Sequence, residues 1–349
     1  MQTPRPTFGS GVIPEHWPKP ESLPLTFDLI RASGRRGTLL ALKRVVLSGF
    51  AAVLFLGLFL ASTEAPGALG GRSLAAMAPD RAAAIRVAAR PCSGAPRPPA
   101  TFKHVVWIVM ENRSYSEVIG SSGAPYINEL AHECGLAANF SAESHPSLPN
   151  YVAMTSGSTQ GIGDDGDPSQ HRLAVPSIFS VLGGGWRALA ESMPSNCDLN
   201  GRGEYAPRHN PAVYYTNIRG RCAHRDTPLA ARPDLSARFT FITPNLCHDM
   251  HDCSTSAGDT WLAGFVPKIL RSHTYRAGST VVFITWDEGS GDNHIATLVL
   301  SRYTRPGTVS SKPFNHYSLL RTTEALLGIH AKLGAAATAR DMRGAFRLR

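Results

Sequence analysis

The sequence predicts an α/β fold, a central and mostly parallel sheet flanked by helices. Three observations carry this. Apolar, β-branched and aromatic runs at 104–110, 239–243, 280–286 and 296–301 read as strands buried on both faces. Helix-length segments lie between them, at 124–133, 147–157, 176–182, 260–272 and 316–328. Acids, amides and histidines follow directly on the apolar runs, where α/β sheets bind their ligands if the strands are parallel.

Along the 349 residues, the first element is an address rather than part of the fold. Residues 45–61, "VVLSGFAAVLFLGLFLA", carry no charge, follow "RRGTLLALKR" and precede small residues. That is the layout of an export signal, and the run is also at the short limit for a retained signal-anchor. Residues 1–61 are therefore read as a tail with an export signal or anchor. The expected location is outside the cell, either secreted or held on the outer face of the cytoplasmic membrane. Residues 62–100, rich in Ala, Pro, Gly and Arg, read as a linker, and the folded domain as 101–349.

All six cysteines follow the apolar run, and none forms a CxxC pair, so a zinc ribbon is not supported. An even count in an exported chain implies disulfides. Proximity favours Cys247 with Cys253 and Cys197 with Cys222, which leaves Cys92 with Cys134. The net charge of +9 lies partly in the termini and forms no basic stripe interleaved with aromatics. Nucleic acid is thus not an expected partner, whereas a phosphorylated small molecule, a phospholipid headgroup or a membrane surface suits the charge.

The chemistry gathers at the strand ends. The first strand ends in Glu111-Asn112 and the third in Asp287-Glu288. This oxygen-rich set suits a hard or borderline divalent cation. Each pair alone would also suit a cap or a turn. The second strand leads into "NLCHDMHDC", with His248, Asp249, His251 and Asp252 in one tight loop, where histidines serve as acid-base groups and carboxylates orient them. "ESHPSLPNY" sets His145 before a helix start, with Asn150 beyond it. Ser177 follows Pro176 at another helix start, where it could attack phosphorus or simply cap the helix. His294 closes "TWDEGSGDNH", with no firm role for it or for Asp292.

The stretches "HVVWIVMENRSYSEVIG", "ESHPSLPNY", "HDMHD…GDTWL", "TWDEG" and "HYSLLRTTE" occur in the order seen in the bacterial phosphoesterase family, which the chain resembles from about 102 to 329. That family includes non-specific phospholipases C and secreted acid phosphatases. The chain is most similar to short actinobacterial acid phosphatases acting on phosphatidylinositol 3-phosphate. The resemblance implies a fold like that of the alkaline phosphatase superfamily. It also implies a divalent metal held by Glu111, Asn112, Asp287 and Glu288. Catalytic roles are implied for Ser177, His251, Asp252 and His145, and substrate contacts for Asn112, Asn150, His248, Asp249 and His294.

The expected activity is that of an exported phosphatase hydrolysing phosphate monoesters, phosphatidylinositol 3-phosphate among them. The alternatives are a phospholipase C cleaving phospholipid diesters and a non-catalytic phosphate-binding protein.

Overall fold

The computed structural model describes residues 90–349. The export segment and residues 62–89 lie outside the described residues. A nine-stranded sheet forms the core. Its strands are β1 (His104–Met110), β2 (Gly135–Ser141), β3 (Trp186–Ala190), β4 (Asp226–Pro228), β5 (Phe239–Thr243), β6 (Thr280–Trp286), β7 (His294–Leu300), β8 (Thr308–Ser310) and β9 (Phe314–Asn315). The order is β4-β3-β5-β1-β6-β7-β2-β8, with β9 also on β2.

The sheet is parallel except at β7, which runs antiparallel to both β6 and β2. The run expected at 296–301 is therefore a strand, but a reversed one, because the short loop 287–293 can only return the chain as a hairpin. Reversal is what brings His294, the first residue of β7, to the same rim as Asp287.

β1, β5 and β6 are buried almost throughout, as their unbroken apolar runs require. Trp107 of β1 packs edge-on to Phe239 of β5, with ring centroids 4.9 Å apart. The helices are α1 (Tyr115–Val118), α2 (Pro125–Glu133), α3 (Ser147–Ser156), α4 (Ile178–Val181), α5 (Arg219–Arg225), α6 (Thr255–Leu270), α7 (His273–Arg276) and α8 (His316–Leu326). α6 starts earlier than the sequence reading because Ser254 caps it, accepting from the Ala257 amide. Among the described residues, no helix is long and apolar enough to cross a membrane.

The disulfides pair as expected: Cys92–Cys134, Cys197–Cys222 and Cys247–Cys253. The first ties the entering chain to the end of α2, so packing reaches back into the stretch read as linker. Gly94 and Ala95 continue the tie, donating their amides to Thr304 and Arg302 carbonyls at 3.0 and 2.9 Å.

One buried acid makes stability depend on pH. Asp226, at the start of β4, is fully buried and accepts from Asn210 Nδ2 at 3.1 and 2.9 Å. Burial raises its pKa from 3.8 to about 7, against the lowering effect of the Asn210 bonds. The folded state thus holds a proton that the unfolded chain has released. That contribution is full below the unfolded pKa and is lost as pH rises through about 7. Relative to Asp226→Asn, the wild type should lose several degrees of melting temperature between pH 4.5 and pH 8. Parallel pH profiles for the two proteins would contradict the assignment.

Candidate active site

The carboxyl ends of β1, β5 and β6 open onto one rim. β1 delivers Glu111, fully buried, whose amide donates to the Asp249 carbonyl at 2.8 Å. Asn112 follows with φ +49°, a left-handed turn that asparagine tolerates better than most side chains. The turn lets the Asn112 amide donate to Asp287 Oδ1 at 3.1 Å, and the Glu288 amide donates to the same oxygen at 2.7 Å. The loop beyond is closed tightly. A Cβ on Gly289 would collide with the Asp292 carbonyl, so glycine is required there and Asp292 serves the loop.

Helix α3 supplies the other wall. Ser147, its first residue, is 2% exposed and donates its hydroxyl to Glu111 Oε2 at 3.1 Å. Tyr151, one turn on, donates to Glu111 Oε1 in a short hydrogen bond. Asp165 accepts from the Leu148 amide at 2.9 Å, satisfying a free donor of the first turn.

A third group comes from residues that carried no sequence signal. His209 closes the single turn Pro207–His209 and is buried. Its Nδ1 lies 3.2 Å from Asp249 Oδ2, and its Nε2 lies 3.4 Å from Glu111 Oε2. Burial, followed by the neighbouring Arg208 and His251 charges, holds its pKa well below the usual histidine range. Burial thus disfavours the charged ring. The tautomer that donates Nδ1–H to Asp249 leaves Nε2 with a lone pair facing Glu111.

Electrostatics set the demand of the site. Burial, then Asp287 and Asp249, pushes Glu111 well above the usual carboxylate range. Burial pushes Asp287 to about 6, and burial with the Asp287 and Asp252 charges pushes Asp249 to about 8. Among the described residues no lysine or arginine is ion-paired to any of these three buried carboxyls, which makes them costly to ionise. Asp287 Oδ2 and Asn112 Oδ1 are buried with no hydrogen-bond partner. Atoms of Glu111, His209 and Asp249 lie within 4.8 Å of one another. Crowded carboxylates, orphaned oxygens and an imidazole lone pair are the donor set of a divalent cation, and the residues fit one.

The remaining sequence-predicted residues divide. Glu288 stands at the rim, 7% exposed, and binds His145 Nδ1 at 3.0 Å and Asn150 Nδ2 at 3.3 Å. Asn150 also accepts from the Glu143 and Ser144 amides, both at 3.0 Å, so it pins the loop that carries His145. His251 Nδ1 meets Asp252 Oδ1 at 2.6 Å, and its Nε2 accepts from Arg208 Nη2 at 3.2 Å. Arg208 in turn reaches Asp165 at 3.7 Å.

Three expected residues stand apart from this network. Ser177 is fully buried as the cap of α4, and its side-chain and backbone bonds all go to Ser180 or Val181. His248 turns to Glu191, 2.9 Å away, and stacks near Trp261, because the loop presents alternate residues to opposite sides. His294 binds the Ala138 carbonyl at 2.8 Å and stacks on Tyr115 at 4.6 Å. In their place the structure brings in Ser147, His209 and Arg208. Ser147 lay inside the "ESHPSLPNY" stretch, while a lone histidine between prolines offers no periodic or spacing signal.

A divalent cation should therefore stabilise the protein independently of turnover. Adding magnesium, manganese or calcium to chelator-treated protein should raise the melting temperature by several degrees. Asp287→Asn should remove most of that rise. An unchanged melting temperature in both proteins would contradict a cation site here.

Residues 121–330 match the model of the Phosphoesterase family. The chain is 34% identical over 240 residues to a phosphatidylinositol-3-phosphatase of Mycobacterium tuberculosis, covering 66% of this chain and 78% of that one. It is 27% identical over 262 residues to a phosphate-repressible acid phosphatase of Penicillium chrysogenum, covering 65% of this chain and 60% of that one. A Vibrio parahaemolyticus protein in the alkaline phosphatase superfamily superposes with a TM-score of 0.49 at 14% identity, over 71% of this chain and 74% of that one. The chain belongs to the Phosphoesterase family, hydrolases that act on phosphoric ester bonds.

Proposed function

We propose that the protein is an exported phosphatase of phosphate monoesters in which Ser147 is the nucleophile. One observation carries this reading. The Ser147 hydroxyl is held against Glu111 inside the buried acidic cluster, at the amino end of a ten-residue helix. The helix dipole adds positive potential at that end. Ser177, the residue favoured from sequence, has no bond to that cluster.

A bound cation, held by Glu111, Asn112 and Asp287 with Asp249 or His209 beside them, would neutralise the phosphate oxygens and favour the ionised hydroxyl. The chain's own groups do the rest. Ser147 Oγ forms the bond to phosphorus as the ester P–O bond breaks, and its proton leaves along the hydrogen bond to Glu111. Arg208 offers a guanidinium suited to two phosphate oxygens. His145 is 45% exposed on its side chain, and its Nδ1 is held by Glu288, which leaves Nε2 to protonate the departing oxygen. With Arg208 drawn from His251 Nε2 onto the phosphate, that nitrogen is freed, and the ring, still oriented by Asp252, takes the proton from the water that releases the phosphate. Glu288, expected from the resemblance as a metal ligand, is here spent on positioning His145.

The substrate class follows from the relatives. The likeness to a phosphatidylinositol-3-phosphatase and to acid phosphatases supports monoesters, with phosphatidylinositol 3-phosphate one of them. Export agrees with three disulfides in the described domain.

Hydrolysis of p-nitrophenyl phosphate tests the assignment. Ser147→Ala should lower kcat by about a thousand-fold or more, whereas Ser177→Ala should stay within a few-fold of wild type. The reverse pattern would restore Ser177 as nucleophile. Release of inorganic phosphate from phosphatidylinositol 3-phosphate, without diacylglycerol from phosphatidylcholine, would separate the phosphatase from a phospholipase C.

A further inference from the structure

The end of the sheet opposite the active site carries a second concentration of chemistry. A recess of about 400 Å³ is lined by Arg90, Arg271, Arg276 and Arg302 around a floor of Pro91, Leu270 and Tyr275. No acid lines it. Elsewhere Arg187, Arg208 and Arg343 each meet an aspartate. Among the described residues, the four recess arginines have no carboxylate partner within 4.0 Å.

The walls are fixed rather than loose. Tyr275 donates its hydroxyl to the Pro91 carbonyl at 2.8 Å, and Ser93 Oγ donates to the Arg302 carbonyl at 3.0 Å. Arg302 itself donates to the Arg276 carbonyl, and the Cys92–Cys134 disulfide anchors the entering strand of chain. An adjoining recess of about 640 Å³ shares Arg271 and adds Arg232 and Lys268. Like charges lining one recess repel one another, and an anion among them removes the cost. Guanidinium forks match the tetrahedral oxygens of phosphate, and the apolar floor suits the carbon portion of an ester.

The geometry points to a binding site for a phosphate-bearing anion at this recess, separate from the catalytic centre. Arg276 lies just before the amino end of β6 and Asp287 just after its carboxyl end. The seven-residue strand spans about 20 Å, so the two sites do not overlap. The same chemistry has two sources, an anionic phospholipid headgroup or a soluble polyphosphate. Arg90 lines the recess, and the apolar run 45–61 lies upstream of it in sequence. A headgroup bound here would leave the catalytic rim facing away from that lipid surface.

Hydrogen exchange on the full chain in neutral-detergent micelles tests this locally. One arm adds inorganic pyrophosphate, and a second adds phosphatidylglycerol to the micelles. Slower exchange across 270–276 and 300–305 is expected in at least one arm. Protection by pyrophosphate identifies a soluble ligand, and protection by phosphatidylglycerol alone identifies a headgroup. The Arg271→Ser, Arg302→Ser double variant should shift the midpoint of protection by at least about ten-fold, with p-nitrophenyl phosphate turnover unchanged. No protection in either arm, or protection that survives the double variant, overturns the proposal.

Discussion

Everything at the rim depends on burying Glu111, Asp249 and Asp287 within reach of one another. Removing a single unpaired carboxylate from water costs several kcal/mol, and three together cost more because they also repel. The fold meets that cost in part with donors. Asn112 and Glu288 amides hold Asp287, the His251 amide and His209 hold Asp249, and Ser147 with Tyr151 holds Glu111. Among the described residues, Asp287 Oδ2, Asn112 Oδ1 and His209 Nε2 are left without a hydrogen-bond partner. A divalent cation would complete this arrangement, whose oxygen and imidazole donors suit one.

The sheet serves this cluster. Parallel pairing of β5, β1 and β6 stacks their carboxyl ends in register, with Met110 opposite Trp286 on neighbouring strands. Glu111 and Asp287 then follow at equal heights without any further device. The hydroxyl of Ser147 enters from α3 on the far side, and Asn150 on the same helix ties down the loop bearing His145. Ser147 and the tie to the His145 loop thus share one helix, α3, while Glu111 and Asp287 follow neighbouring strands.

Much of this was legible in the sequence, for identifiable reasons. β1, β5 and β6 are buried on both faces, so their composition announces them, and the acids that end them stand out by contrast. The direction of β7 was not legible, because apolar runs carry no sign of orientation. β2 was missed because "GLAANFS" is short in β-branched residues and alternates poorly. His209 joins Glu111 only through the folded path of the chain. Ser147 and Ser177 both follow a proline at a helix start, so local chemistry does not separate them. Only the position of α3 against β1 does.

In the proposed reaction the buried cluster moves a phosphoryl group onto Ser147. Rapid acid quench of the protein during turnover of p-nitrophenyl phosphate, followed by peptide mass spectrometry, reads that bond directly. The account predicts a phosphorylated serine in the peptide containing Ser147, and its absence from the Ser147→Ala variant. A phosphoryl group found on Ser177 or on a histidine would contradict it.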